Sequence, residues 1–253
     1  MQIIQSPAKL MDFSVSGDDI HTTKPLFPKK TRELVAVCRQ LSEKDIADIM
    51  KINPKMARNV YEQFQTFGFR STPSRAAVLA YNGIAYAGLN AHDFTEEDYT
   101  FAGQHLNILS GLYGVVRPQD AIKPYRLEFQ RKIVPQGYHT LYDYWQDTVN
   151  EYLSGKLKKD GKTLINVAST EYAKVVRKDK LPRGTRIIDF QFLQQENNDF
   201  KQVIVHTKKA RGMVSRFIIK NRLTDVEDVK GFDAEGYFYY PALSKEDAWV
   251  FVR

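Results

Sequence analysis

The sequence predicts a mixed α/β (α+β) fold, a mixed β-sheet core with helices packed outside it. Three observations carry this. Runs of strand length rich in Val, Ile, Phe and Tyr interleave with longer stretches of helical periodicity. An Asn82-Gly83 pair sits between two short apolar runs and signals a hairpin, a connection a purely parallel doubly wound sheet does not use. The 253 residues are 43% hydrophobic and 12% aromatic, enough for a sizeable core. No internal repeat, low-complexity tract or Pro/Gly/Ser linker divides the chain, so residues 1–253 read as a single domain.

Taken in order, Gln2–Gln5 reads as the first strand. Helices follow at Thr31–Leu41, Ser42–Met50 and Pro54–Phe64, then strand-like runs at Val78–Tyr81 and Ile84–Ala87 about the hairpin signal. Glu96–His105 and Leu141–Leu153 read as helices. Thr95-Glu-Glu-Asp98 is an N-cap with acids complementing the helix dipole. Lys162–Val167, Arg186–Leu193 and Lys201–His206 read as strands, Thr207–Arg222 as a helix, and Gly236–Tyr240 and Ala248–Val252 as closing strands.

Composition excludes several classes. Disorder needs low hydrophobicity and few aromatics. The lone Cys38 excludes an intrachain disulfide and fits a reducing compartment, where it reads as a buried small hydrophobe. No apolar run approaches the roughly 20 residues of a membrane span, and the N-terminus reads as a strand and not a signal peptide. A cytoplasmic protein without a membrane partner is expected; its oligomeric state is not legible. The five histidines show no metal-ligand spacing, and no G-x-x-x-x-G-K-[ST], G-x-G-x-x-G or G-x-S-x-G motif is present. Neither a metal site nor a cofactor is expected. Asp143 and Asp147 beside Trp145 read as a solvated face. The net charge of +7 favours an anionic partner.

Three groups of residues can carry function. The first is the helix–turn–helix unit at about 42–64. Ile46, Ile49 and Met50 form one apolar stripe, and Met56, Val60 and Phe64 another. Asn53 is an N-cap and Pro54 suits the first helical position. A helix start offers free N–H groups and the positive dipole end, and Lys51, Lys55 and Arg58 surround it, a physical route to phosphate. An ordinary αα-hairpin with solvated lysines is the competing reading.

The second is the acid-free stretch from His206 to Arg222. Ala210, Met213, Val214, Phe217 and Ile218 share a face. Lys208, Lys209, Arg211, Arg216, Lys220 and Arg222 need acids from elsewhere or an external anion. The third is a set of motifs at predicted strand ends: Ser6-Pro-Ala-Lys9, Ser110–Pro118, Pro124-Tyr-Arg-Leu-Glu128 and Asn166-Val-Ala-Ser-Thr-Glu-Tyr172, with Ser169 placed to cap a helix. Ligands gather at strand ends in such sheets. Ser6, Lys9, Arg117, Arg126 and Arg211 are the candidate anion cleft, and Lys9, Arg126, Arg211 and Arg216 are expected to converge. Glu128 and Glu171 are the candidate catalytic residues, or acids that hold an arginine in place.

With these blocks in the same order, and with Lys208-Lys-Ala-Arg-Gly212, Ser215-Arg-Phe-Ile-Ile219, Asn221-Arg-Leu223 and Gly231-Phe-Asp-Ala-Glu-Gly-Tyr-Phe238, the chain resembles the YaaA family of bacterial peroxide-stress proteins. The resemblance implies a cytosolic protein with a compact mixed α/β fold, a helix-hairpin-helix element and a basic cleft that binds DNA. It also implies a role in limiting unincorporated iron and the DNA damage that follows. On that reading Lys51, Lys55, Arg58, Lys208, Lys209, Arg216 and Lys220 contact DNA without reading sequence. The turn carries Asn53 and Pro54 where a helix-hairpin-helix usually has glycine. The alternative is an enzyme acting on a nucleotide, nucleic acid or other phosphorylated small molecule at the strand-end cleft.

Overall fold

The computed structural model describes residues 1–14, 20–197 and 199–253. In chain order the strands are β1 (Gln2–Gln5), β2 (Arg75–Ala76), β3 (Leu106–Ser110), β4 (Gly114–Val116), β5 (Ala121–Ile122), β6 (Thr163–Asn166), β7 (Arg186–Glu196), β8 (Asp199–Lys201), β9 (Phe238–Tyr239) and β10 (Ala248–Val252). The α-helices are α1 (Pro28–Arg39), α2 (Glu43–Met50), α3 (Pro54–Thr66), α4 (Ala77–Ala80), α5 (Ile84–Leu89), α6 (Glu96–His105), α7 (Leu141–Lys159), α8 (Thr170–Ala173) and α9 (Ile204–Lys220).

The main sheet runs β4-β3-β1-β6-β7-β10-β9, with β8 paired to β7. Its centre, β3-β1-β6-β7-β10, is parallel throughout, and β4, β8 and β9 are antiparallel additions. The sheet is therefore mixed. β1 and β3 are buried along their whole length, as central parallel strands with both faces covered must be. β2 and β5 form a separate two-residue ladder.

Local expectations fail in three places, each for a physical reason. Val78–Tyr81 is not a strand: Ala77–Ala80 forms a short helix buried on all sides, so its apolar run has no periodicity to mark it. Asn82-Gly83 joins α4 to α5 and makes no hairpin, because Asn82 donates its N–H to the Leu10 carbonyl at 2.9 Å; Ile84–Ala87 after it is also helical, within α5. Of Lys201–His206, only Lys201 belongs to a strand, and the exposed β-branched residues Ile204 and Val205 open α9.

The 42–64 unit forms as expected. Ser42 and Asp45 make a reciprocal capping box, Lys51 closes α2 in the left-handed region (φ 53°), and Asn53 Oδ1 accepts the Met56 N–H at 2.9 Å. The buried stripe of α3 is Ala57, Val60 and Phe64, whereas Met56 faces out. Thr95 and Asp98 likewise cap α6 reciprocally. Cys38 is buried, and burial pushes its thiol up to about 12. Among the described residues no helix is long and apolar enough to cross a membrane.

Candidate functional site

The connection from β1 leads to β3 on one side of it, and the chain after β6 continues to β7 on the other. Strand order thus reverses between the carboxyl ends of β1 and β6, where open α/β sheets form a ligand crevice. A cavity of about 450 Å³ lies there, lined by residues 5–10, 82–86, Val167, Ser169, Glu171, Tyr172, Lys208 and Arg211. Ser6 ties the two strand ends together. Its Oγ accepts the Ser169 N–H at 2.8 Å and lies 3.3 Å from Ser169 Oγ. Ser169 stands at the start of α8, but its side chain makes no cap bond. The Tyr86 hydroxyl donates to the Ser6 carbonyl at 3.0 Å.

Behind the crevice sits Glu128, 3% exposed. Gly111, just past β3, brings its segment in close: a Cβ there would meet the Leu127 carbonyl oxygen at 2.3 Å. Glu128 Oε1 faces Lys9 Nζ at 3.4 Å and Arg126 Nη2 at 3.1 Å, and Oε2 faces Arg131 Nε at 3.3 Å. Burial alone would raise its carboxyl, but Arg126, Arg131 and Lys9 hold it below the usual value. Glu171 is half-buried at the crevice and has a different environment. Among the described residues its Oε1 accepts only the Gln130 N–H, at 3.4 Å. Burial pushes its carboxyl up, and the neighbouring Glu128 charge adds to the shift despite Gln130, Lys9 and Arg131. Deeper still, Tyr125 bonds Ser110 Oγ at 2.6 Å and Tyr81 at 2.7 Å, and its phenol is pushed up to about 12 by burial.

The opposite wall comes from α9. It crosses α5 with backbone in contact: a Cβ on Gly212 would meet the Ala85 carbonyl oxygen at 1.7 Å, and one on Gly88 the Lys209 oxygen at 2.3 Å. This crossing sets Arg211 and Lys208 into the crevice. Arg211 Nε is wholly buried and has no hydrogen-bond partner among the described residues. Burial also lowers its guanidinium.

The expected cation set therefore divides. Lys9 and Arg126 meet at Glu128, and Ser6, Lys9 and Arg211 line one crevice. Arg117 lies apart, on the buried Asp120 at 2.7 Å. Arg216 also leaves the group: it pairs with Asp93 at 2.6 Å, and Lys220 with Asp98 at 2.8 Å. Lys209 pairs with Glu235, and Arg58 with Glu62 at 3.1 Å. Lys51, Lys55 and Lys208 are exposed and have no acid partner among the described residues. Arg131 was not singled out from sequence. It links the two regions, donating to Glu128 and, at 3.4 Å, to the Ile49 carbonyl in α2. Tyr86 was missed because its segment read as a strand. Among the described residues no three His, Cys, Asp or Glu side chains are grouped so as to hold a metal ion.

The model of the family described as peroxide stress protein YaaA matches residues 1–243. A UPF0246 protein of Saccharophagus degradans is 40% identical over 256 residues, covering 100% of this chain and 99% of that protein. A UPF0246 protein of Acaryochloris marina is 38% identical over 255 residues and covers both chains completely, at 100% of each. With the match running nearly end to end and the motif blocks gathered at three adjoining strand ends, this chain belongs to the YaaA family of peroxide stress proteins.

Proposed function

We propose that the chain is a cytosolic DNA-binding protein of the peroxide-stress response, helping to limit iron-dependent oxidative damage, and that the α2–α3 hairpin (helix-hairpin-helix) holds duplex or branched DNA by its phosphates without reading sequence. The carrying observation is the start of α3. It has no acidic residue in its first turn, unlike α2 and α6, and the exposed Lys51 and Lys55, without an acid partner among the described residues, stand beside it. A positive dipole end left without an internal acid is open to an external phosphate. The net charge of +7 supports the same partner.

The test is the salt dependence of DNA affinity. Replacing Lys51, Lys55 and Arg58 by Ala should weaken binding equally across unrelated sequences. It should also lower the slope of log K against log salt by about 2.7, because each of the three lost phosphate contacts contributes about 0.9. An unchanged affinity and slope would retire the hairpin.

A second reading is an enzyme acting on a nucleotide, nucleic acid or other phosphorylated substrate. One observation favours it: Lys9, Glu171 and Arg211 line a concave hollow at the reversal of strand order.

A further inference from the structure

We propose that the crevice between the ends of β1 and β6 is a binding site for a nucleoside monophosphate, with Arg211 and Lys208 on the phosphate and Glu171 as a hydrogen-bonding partner of the ring portion. This deepens the second reading above and rests on it.

Arg211 is half-buried, and a charge withdrawn from water is costly unless it is paired. The neighbouring cations of α9 show how this chain meets that cost: Lys209 has Glu235, Arg216 has Asp93 and Lys220 has Asp98. Arg211 has no such acid among the described residues, and its Nε is buried without a partner. Lys208 is three residues before it, hence on the same helical face, and both line the crevice. These two cations point to an anion from outside.

The rest of the hollow selects the body of the ligand. Its volume of about 450 Å³ falls within the range of about 300–1,000 Å³ usual for small-molecule sites. Pro7, Ala8, Ile84, Tyr86 and Tyr172 give it an apolar, partly aromatic wall suited to a flat ring. Glu171 also lines the hollow, whereas Glu128 lies behind it, paired with Lys9, Arg126 and Arg131. Glu171 has no ion-pair partner among the described residues, and its carboxyl is available to hydrogen-bond the ring portion of a ligand. The site thus offers cations to a phosphate, an apolar wall to a ring and a carboxyl to the ring's polar edge, in a volume that fits a single nucleotide.

The test is calorimetric titration of the full chain with adenosine 5′-monophosphate, ribose 5-phosphate and adenosine at fixed ionic strength. The monophosphate should bind more tightly than either fragment. Arg211→Met should weaken the monophosphate by about tenfold or more, the worth of a charge-assisted contact, and leave adenosine unchanged. The melting temperature of ligand-free R211M should not fall, since Arg211 has no acid partner among the described residues to lose. Arg211→Lys, which keeps the charge, should lose less. Glu171→Gln should keep binding while flattening its pH dependence. Monophosphate binding that ignores R211M would overturn the crevice assignment and leave a phosphorylated substrate elsewhere open. No binding of either phosphorylated probe up to about 10 mM, far weaker than a specific site, would remove both. Competition by duplex DNA, with R211M weakening DNA and monophosphate in proportion, would make the crevice a backbone-phosphate site and overturn the proposal.

Discussion

Glu171 lies close enough to Glu128 to feel its charge, but the two sit in unlike surroundings. Glu128 is surrounded by Lys9, Arg126 and Arg131, while among the described residues Glu171 accepts one N–H, from Gln130. The cations hold the Glu128 carboxyl below its usual value, whereas burial and the Glu128 charge push that of Glu171 upward.

Glu128→Gln should therefore destabilise the chain by about 3 kcal/mol at neutral pH, as expected when one partner leaves a buried ion cluster. The sign of the pH effect follows from the lowered carboxyl. Its contribution is complete above the unfolded value near 4.5 and is lost as pH falls through the lower folded value. Denaturant unfolding should show the gap between wild type and E128Q closing on the acid side of 4.5. A gap that holds its size there would contradict the ion cluster.

Glu171→Gln should behave in the opposite manner. A carboxyl raised in the fold loses stability as pH climbs above its unfolded value of 4.5. The variant should match wild type in acid and be equal or more stable at neutral pH. A loss of stability at neutral pH would mean that Glu171 is a structural partner like Glu128.

Gly212→Ala should be among the most damaging small substitutions, because the added Cβ would meet the Ala85 oxygen at 1.7 Å and the Leu89 nitrogen at 2.7 Å, both backbone atoms. Overpacking of this kind costs about 1–3 kcal/mol or more, and here it would also push Lys208 and Arg211 from the crevice. Gly155→Ala is the control. It lies in α7 with nothing within 4 Å, so it should stabilise by about 0.5–1 kcal/mol. Thermal melts of the two variants should move in opposite directions.

The sequence made the architecture legible where a pattern was local. The capping box at Ser42, the Asn53-Pro54 start of α3 and the strand Gln2–Gln5 needed only neighbours along the chain. It misled where burial erased the pattern, as at Ala77–Ala80, buried on every side. Among the site residues, the motif blocks marked Ser6, Lys9, Glu128, Glu171 and Arg211, but not which cations have partners. Asp93 reaches Arg216 from 123 positions away, and Asp98 reaches Lys220 from 122. Only folding distinguishes those paired charges from Arg211. Arg131 carried a local signal, three residues from Glu128, but one that any surface arginine could give.

Ser6→Ala should loosen the site without unfolding the protein. It removes the acceptor of the Ser169 N–H, a bond of 2.8 Å that joins the ends of β1 and β6. Leaving that donor unpaired costs about 1–3 kcal/mol. Hydrogen exchange should quicken at the Ser169 amide and remain slow at the centre of β1. Unchanged protection at Ser169 would show that the tie does not hold the crevice.

On the proposed reading the chain has two anion sites, a hairpin for DNA and a crevice for a mononucleotide, bridged by Arg131. Amide chemical-shift mapping during separate titrations with a DNA duplex and with adenosine 5′-monophosphate tests it most directly. The account predicts two distinct sets: residues 51–58 moving with the duplex, and residues 6–9, 167–172 and 208–211 moving with the monophosphate. The same residues moving with both ligands, or a duplex response that bypasses residues 51–58, would contradict it.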